Sequence, residues 1–543
     1  MSFVFPAQTW TRSAPTASTG RRALARPLVL QFVIAMACAF VLRSWQFGNP
    51  VVQIDEQFYL VVGERMLQGA VPFVDIWDRK PVGTFLIYAA IRLLGGEGIL
   101  QYQIVATLFA GFTAFLISAM ALRFANARGA ALAGCAYLAW LLVFDGSGGQ
   151  TPIFYNAVMA AAAFLILEAT ASTSDRRKLL TSGAAAMLLV GVALQIKYSV
   201  VFEGVFFGCA LLWRWPRDAA GVRTLPLAAM IWIACALLPT AAAWIWYASH
   251  GLNDAFVYAN FLSILDRAGW PVGTLVERLA KMLGLAFPLL LCAGLEAVTA
   301  RPGESAAARA TRRFALGWLS AALAGLLLFG TFFAHYFLPV LVPLSLACAG
   351  MLGDRLAGVT VFVASRHRTM SFAAFAVITA SVCVALSVPK ELKSRGARVD
   401  VEAVAGAINR SRTGCMLVFD GEPILYHMTG ACLVTSRIFP NHLNDATEEG
   451  ATGIDIRAEL RRILSEERPD IIVASDRPDP RYNAATLREL RSALRTDYRL
   501  AYHRRIGVRE RLVYKRLEEK RLAHAMRRSS EKHQPKARAE KDI

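Results

Sequence analysis

Long apolar runs alternate with short polar ones along the chain, and the runs set the architecture. Pro27–Trp45, Leu225–Trp246 and Phe372–Val388 carry few or no charges. They approach or reach the roughly 20 residues an α-helix needs to cross a bilayer. Several such runs occur, so a single cleaved leader cannot explain them. About eleven spans are expected, centred near residues 37, 112, 137, 162, 187, 206, 236, 290, 322, 344 and 380. Val82–Leu94 is different, being short, interrupted by Arg92 and ended by Gly95-Gly96-Glu97. A run of that length is more often interfacial or re-entrant than spanning.

Charge sharpens this map. Arg21, Arg22 and Arg26 precede the first span and place the N-terminus in the cytoplasm,. With Val82–Leu94 on the membrane surface, the basic loops Arg123–Arg128, Asp175–Lys178, Arg214–Arg223, Arg301–Arg313 and Asp354–Arg368 all become cytoplasmic. A crossing there would make every one of them external, against the positive-inside rule. A longer external loop lies between Trp246 and Lys281 and carries Asp266, Arg267 and Trp270. No internal repeat of fixed period is visible, which weakens a transporter built on related halves.

The expected organisation is a disordered cytoplasmic N-terminus (1–26), a transmembrane domain (27–390) with a first external loop at 48–81, an external α/β domain (395–517) and a disordered basic tail (518–543). In the α/β domain Cys415–Phe419, Cys432–Ser436 and Asp470–Ser475 read as short strands,. Glu422–Thr429 reads as a helix, and Leu500–His503 with Leu512–Lys515 would close the sheet. In an oxidising compartment Cys415 and Cys432 could pair. Asp420 and Asp476 end predicted strands, where ligands bind in open α/β sheets. No glycine-rich phosphate loop or metal-spaced His/Cys set accompanies them.

At 55% hydrophobic residues the 543-residue chain would bury more apolar surface than a soluble protein can cover,. Its net charge of +19 belongs to cytoplasmic loops and the tail,. Nucleic acid is excluded as a partner, because the spans leave no room for a basic face with stacking aromatics.

The residues able to carry chemistry gather in the first external loop. Asp55-Glu56 follows the first span, and Asp75, Asp78-Arg79-Lys80-Pro81 precede the surface helix. A carboxylate placed there can take a proton from a hydroxyl, and a cation can neutralise a leaving phosphate. Ordinary solvated ion pairs would be worth little.

These residues, with Gly69, Pro72 and Gly95, resemble the first external loop of the GT-C glycosyltransferases, in particular protein O-mannosyltransferase-like and lipid A aminoarabinose transferase-like enzymes of the glycosyltransferase family 39 kind. His335-Tyr336-Phe337-Leu338-Pro339 is similar to an element opening a late span there. The likeness spans most of residues 28–390, although its specific motifs are few. It implies a polytopic helical GT-C fold with a C-terminal soluble α/β domain in a bacterial inner membrane, its active site and soluble domain periplasmic. It also implies an inverting transfer of sugar from a polyprenyl-phosphate donor to a glycan, lipid or protein acceptor. Asp55 matches the catalytic acid that acts as general base, with Glu56 orienting a partner. Lys80 matches the lysine at the carrier phosphate, helped by Arg79, Lys197, His335 and Tyr336. Asp75 and Asp78 would shape the substrate loop.

The chain also departs from the pattern. Arg79 stands where metal-binding relatives carry an acid, so no tight metal is expected, although Asp55 with Asp78 could hold a divalent ion loosely. The second acidic residue expected in the next external loop has no clear match, Asp145 and Asn156 being nearest. Lys197 could meet the phosphate or simply snorkel. Glu203, inside a span, is either functional or paired with Lys197. His335 could be a phosphate contact or an interfacial anchor. Two other functions stay open at this level: a transporter or flippase for a lipid-linked glycan, and a catalytically inert envelope scaffold.

Overall fold

The computed structural model describes residues 17–171, 175–353, 358–361, 368–477 and 481–517. Of the N-terminus expected to be disordered (1–26), residues 1–16 lie outside the described residues, as do the tail 518–543 and most of the basic loop Asp354–Arg368; residues 17–26 are instead the start of a helix running from Ala17 to Arg43. The apolar runs fold as helices α1 (Ala17–Arg43), α2 (Ile54–Leu67), α3 (Val82–Arg92), α4 (Ile99–Ala121), α5 (Ala127–Val143), α6 (Thr151–Ala171) and α7 (Arg176–Leu194). There follow α8 (Val201–Arg214), α9 (Ala219–Ser249), α10 (Asn253–Val257), α11 (Val272–Val298), α12 (Ala306–Phe329), α13 (Leu341–Gly353) and α14 (Phe372–Arg395). Each expected span centre falls inside one of these helices. Among the described residues, seven are long and apolar enough to cross a bilayer, and α3, α5 and α13 are shorter apolar helices. The protein is a multi-pass membrane protein.

One end of the bundle is marked by caps and arginines. Asn126, Asp175, Asp218 and Ser305 each accept a hydrogen bond from an amide in the first turn of α5, α7, α9 or α12, satisfying donors a helix start leaves open. Arg123 pairs there with Glu168, Arg176 with Asp218, and Arg214 donates to the Thr170 carbonyl. The basic loops therefore meet one another.

The other end carries α2 and α3. Gly63 lets them touch, since a Cβ there would stand 2.6 Å from the Ala89 nitrogen. At 11 residues α3 is about 16 Å long, too short to cross,. Its flanks settle the matter. Trp77 before it donates its amide to the Ser436 carbonyl at 3.0 Å, and Glu97 after it pairs with Arg398 at 2.7 Å. Both partners belong to the C-terminal region, so α3 begins and ends on one side.

That region is a four-stranded mixed sheet in the order β3-β4-β6-β5. Its strands are β3 (Met416–Val418), β4 (Ile471–Ser475), β5 (Tyr498–Ile506) and β6 (Arg509–Arg516); β1 (Gly358–Val361) and β2 (Arg368–Ser371) pair separately. β3 and β4 run parallel, as buried apolar strands do, and β6 is antiparallel to both its neighbours,. Cys415 and Cys432 form a disulfide with Cα atoms 4.6 Å apart. Cys432–Ser436, however, is not a strand, and only Leu433 makes an isolated bridge to Met416. The Cys432 carbonyl still accepts from the Met416 amide at 3.3 Å, but two later ones are taken elsewhere: Arg462 donates to Val434 and Trp77 to Ser436. Apolarity alone suggested a ladder that side chains and the loop before α3 have replaced.

Candidate active site

Four segments meet where α2 begins. Asp55 lies in the first turn of α2, where the helix dipole favours an anion,. Lys80 directly precedes Pro81, the residue capping α3. Lys197 follows α7, and His335 and Tyr336 sit in the short 3-10 turn Ala334–Phe337. Close packing brings the two lysines together. A Cβ on Gly83 would stand 2.5 Å from the Gln195 carbonyl oxygen, and Thr84 Oγ1 donates to the Ile196 carbonyl at 2.9 Å.

Charge then assigns protonation states. Burial pushes the Asp55 carboxyl up, but Lys80, then His335 where it is protonated at low pH, and Lys197, with a hydrogen bond from Gln150, outweigh it and hold it below the usual carboxylate value. Asp55 is therefore ionised at neutral pH. Burial pulls the Lys80 ammonium down, yet Asp78 and Asp55 more than restore it. Its Nζ lies 3.7 Å from Asp78 Oδ2 and 4.9 Å from the centre of the Tyr59 ring. Lys197 has weaker compensation: burial lowers its pKa, and its Nζ faces the Tyr336 ring at 4.1 Å. Burial, followed by Lys197, pushes His335 down to about 3, so its imidazole is neutral. The ring stacks on Phe333 at 5.8 Å and meets Tyr336 edge-on at 4.7 Å. Burial raises the Tyr336 hydroxyl, but Lys197, Arg267 and Lys80 together bring it below its ordinary value.

Glu56, one residue on, faces the other way. It accepts from the Gly149 amide at 2.8 Å and from the Tyr102 hydroxyl at 3.3 Å. Burial pushes its carboxyl up to about 8, with Gly149 and Arg43 pulling only partly back. The loop it grips is held from three further sides. Arg43 donates to the Gly146 carbonyl at 2.8 Å and to that of Gly148, Gln46 accepts from the Gly148 amide, and Tyr88 donates to the Gly149 carbonyl at 2.7 Å. Gly148 has φ +69°, and a Cβ there would collide with Glu56. The glycines let the loop lie flat against α2, which delivers Gln150 to Asp55.

Several expected residues have other partners than those expected. Arg79 does not face it with a free guanidinium, because it forks onto Glu448 of the C-terminal region. Asp75 is exposed and caps the Val71 amide at 2.7 Å. Asp78 is a local brace, accepting from the amides of Arg79 and Lys80. Glu203 accepts from Trp318 Nε1 inside the bundle rather than pairing with Lys197. Asn156 is buried and donates to the Leu338 carbonyl at 3.0 Å, bracing the His335 turn, and Asp145 hydrogen-bonds Glu391. Among the described residues no three His, Cys, Asp or Glu side chains are grouped to hold a metal ion.

Sequence reasoning passed over Gln150, Arg267 and Glu448. The run Gly146-Ser147-Gly148-Gly149 signals a close backbone approach beside Gln150,. No local signal marks Glu448, whose partner Arg79 is 369 positions away.

The helical bundle, the surface helix α3 and the C-terminal sheet together make a GT-C fold. Among solved structures, the chain is similar to ArnT from Cupriavidus metallidurans bound to undecaprenyl phosphate, with TM-score 0.51 and 16% identity, covering 92% of this chain and 98% of that one. The oligosaccharyltransferase AglB from Archaeoglobus fulgidus, in complex with an inhibitory peptide and a dolichol-phosphate, aligns at TM-score 0.49 and 11% identity over 82% of this chain and 69% of that one. No protein-family profile matches the sequence, and no curated protein matches it significantly.

Proposed function

We propose that this protein transfers a sugar from a polyprenyl-phosphate carrier to an acceptor hydroxyl, with inversion at the anomeric carbon. The observation that carries the reading is an ionised carboxylate, Asp55, facing Lys80, Lys197 and neutral His335 at one end of a GT-C bundle. The ArnT structure to which the chain is similar holds undecaprenyl phosphate. A lipid phosphate suits this recess on charge grounds. Arg79, Lys80, Lys197 and Arg267 surround Asp55, Asp78 and Glu448, leaving one positive charge to be met by a phosphodiester.

In the proposed step the acceptor oxygen attacks the anomeric carbon as Asp55 takes its proton. The bond from that carbon to the phosphate oxygen breaks on the opposite side. The departing phosphate gains negative charge, which Lys80 and Lys197 stabilise without reorganising. The Tyr336 ring, 4.1 Å from Lys197 Nζ, positions that ammonium, and His335 packs edge-on against Tyr336. No step is routed through a metal, since Asp78 is already occupied by two amides and an ammonium. The arginine-rich loops at the far end favour the cytoplasm by the positive-inside rule, which supports a recess on the periplasmic face of a bacterial inner membrane. The acceptor would then enter beneath the C-terminal region.

The experiment is to give the purified protein in lipid discs a polyprenyl-phosphate sugar and follow its consumption without any ion gradient. Wild type should turn it over, and Asp55→Asn should not, at unchanged thermal stability. Normal turnover by Asp55→Asn would overturn the mechanism, and a dependence on a gradient would favour a transporter.

A further inference from the structure

Glu448 occupies an unusual place. It comes from the C-terminal region, its side chain is 5% exposed, and it lies among arginines from two other segments. Arg79 holds it with both terminal nitrogens, a bidentate grip of the strong kind,. Arg267 approaches it with Nε 3.0 Å from Oε1, and that nitrogen makes no well-directed hydrogen bond although it is buried. The two arginines are therefore held unequally. Arg267 also lies close enough to Tyr336 to draw down its hydroxyl pKa, so it borders the recess that contains Lys80 and Lys197. The segment around Glu448 is itself fastened to the Arg267 loop. Ala268 donates its amide to the Thr447 carbonyl at 3.3 Å, and the Tyr258 hydroxyl donates to the Gly450 carbonyl at 3.2 Å.

We propose that Glu448 is a positioning residue that shares Arg267 with the donor phosphate, so that an arriving phosphate draws Arg267 off Glu448 and loosens segment 445–453. This rests on the function proposed above. The bidentate Arg79 contact stays and keeps the C-terminal region docked beside Lys80, while the poorly directed Arg267 contact yields. Two consequences follow from electrostatics. A carboxylate competing for Arg267 weakens phosphate binding, which helps a more highly charged product leave. The same exchange tells the C-terminal region that the recess is filled, through one ion pair.

The test uses full-length protein in lipid discs and undecaprenyl phosphate as the probe. Glu448→Gln keeps the shape of the side chain and removes the competing charge, so it should bind the probe about fivefold more tightly, at the low end of site-to-site coupling. Glu448→Asp, with a retracted carboxylate, should fall between the two. In wild type, adding the probe should speed amide hydrogen exchange in residues 445–453, a readout that decides the matter even if Glu448→Gln does not fold. Binding of equal or lower affinity by a folded Glu448→Gln, or unchanged or slowed exchange in 445–453, would overturn the role of Glu448 and leave the glycosyltransferase reading standing. Failure of wild type to bind undecaprenyl phosphate at all would remove both.

Discussion

Asp55 and Glu56 are neighbours in one turn of α2, yet they sit in two different regions of the molecule. The Asp55 side is a recess gathered from four segments, rich in cations and partly open. The Glu56 side is a closed clamp, where a carboxyl meets an amide, a tyrosine and a glycine loop. Cations keep Asp55 charged, and burial keeps Glu56 protonated near neutral pH. Two acids of nearly equal intrinsic strength are thus given separate tasks by what surrounds them. One is fit to accept a proton, and the other fastens the loop that brings Gln150 to it.

The comparison can be broken first on the cation side. Lys80→Met should lower transfer by about a hundredfold, the usual cost of removing a group that stabilises developing charge. It should also raise the Asp55 pKa, moving the acid limb of the pH–rate profile upward; an unmoved limb would mean that Lys80 does not hold Asp55. Lys197→Met should cost less than Lys80→Met, because the Lys197 ammonium rests on the Tyr336 ring and burial already lowers its pKa. Measuring donor KM and kcat separately would show whether that loss falls on binding or on departure of the phosphate.

The clamp side should respond in stability rather than in chemistry. The Glu56 pKa in the folded protein is above its unfolded value, so between the ordinary glutamate range and about 8 the folded state binds a proton that the unfolded chain has lost,. Stability should therefore fall as pH rises through that window. Glu56→Gln, whose one oxygen can still accept from the Gly149 amide and which does not titrate, should flatten the melting temperature against pH and change transfer only a few-fold. A melting curve of Glu56→Gln that still slopes as in wild type would assign the effect to another group. Glu448→Gln, with its expected fivefold change in binding, is a finer probe of the same recess.

Much of this was legible in the sequence, for physical reasons that differ by region. The bilayer demands long apolar helices, so the span centres could be read from residue type alone. Surface helix α3 was readable because it is short and because five basic loops agree on one side. Asp55 and Lys80 stood out as an acid beyond the first span and a lysine before a helix-opening proline. What stayed hidden depends on distant chain segments. Gln150 acts through a glycine loop whose partner is α2, Glu448 meets Arg79 across hundreds of residues, and Cys432–Ser436 is apolar like a strand but gives its Val434 and Ser436 carbonyls to a side chain and a loop. Arg79 illustrates the limit most sharply. Beside Lys80 in sequence it reads as a second phosphate contact, while in space it is taken by a carboxylate no local pattern could reveal.

The direct trial of the division between the two acids is to assay Asp55→Asn and Glu56→Gln side by side, as folded proteins in the same lipid discs, for transfer from a polyprenyl-phosphate sugar. The expected result is no detectable transfer by Asp55→Asn and near-normal transfer by Glu56→Gln. Activity retained by Asp55→Asn, or lost only in Glu56→Gln, would contradict the assignment of the base to Asp55.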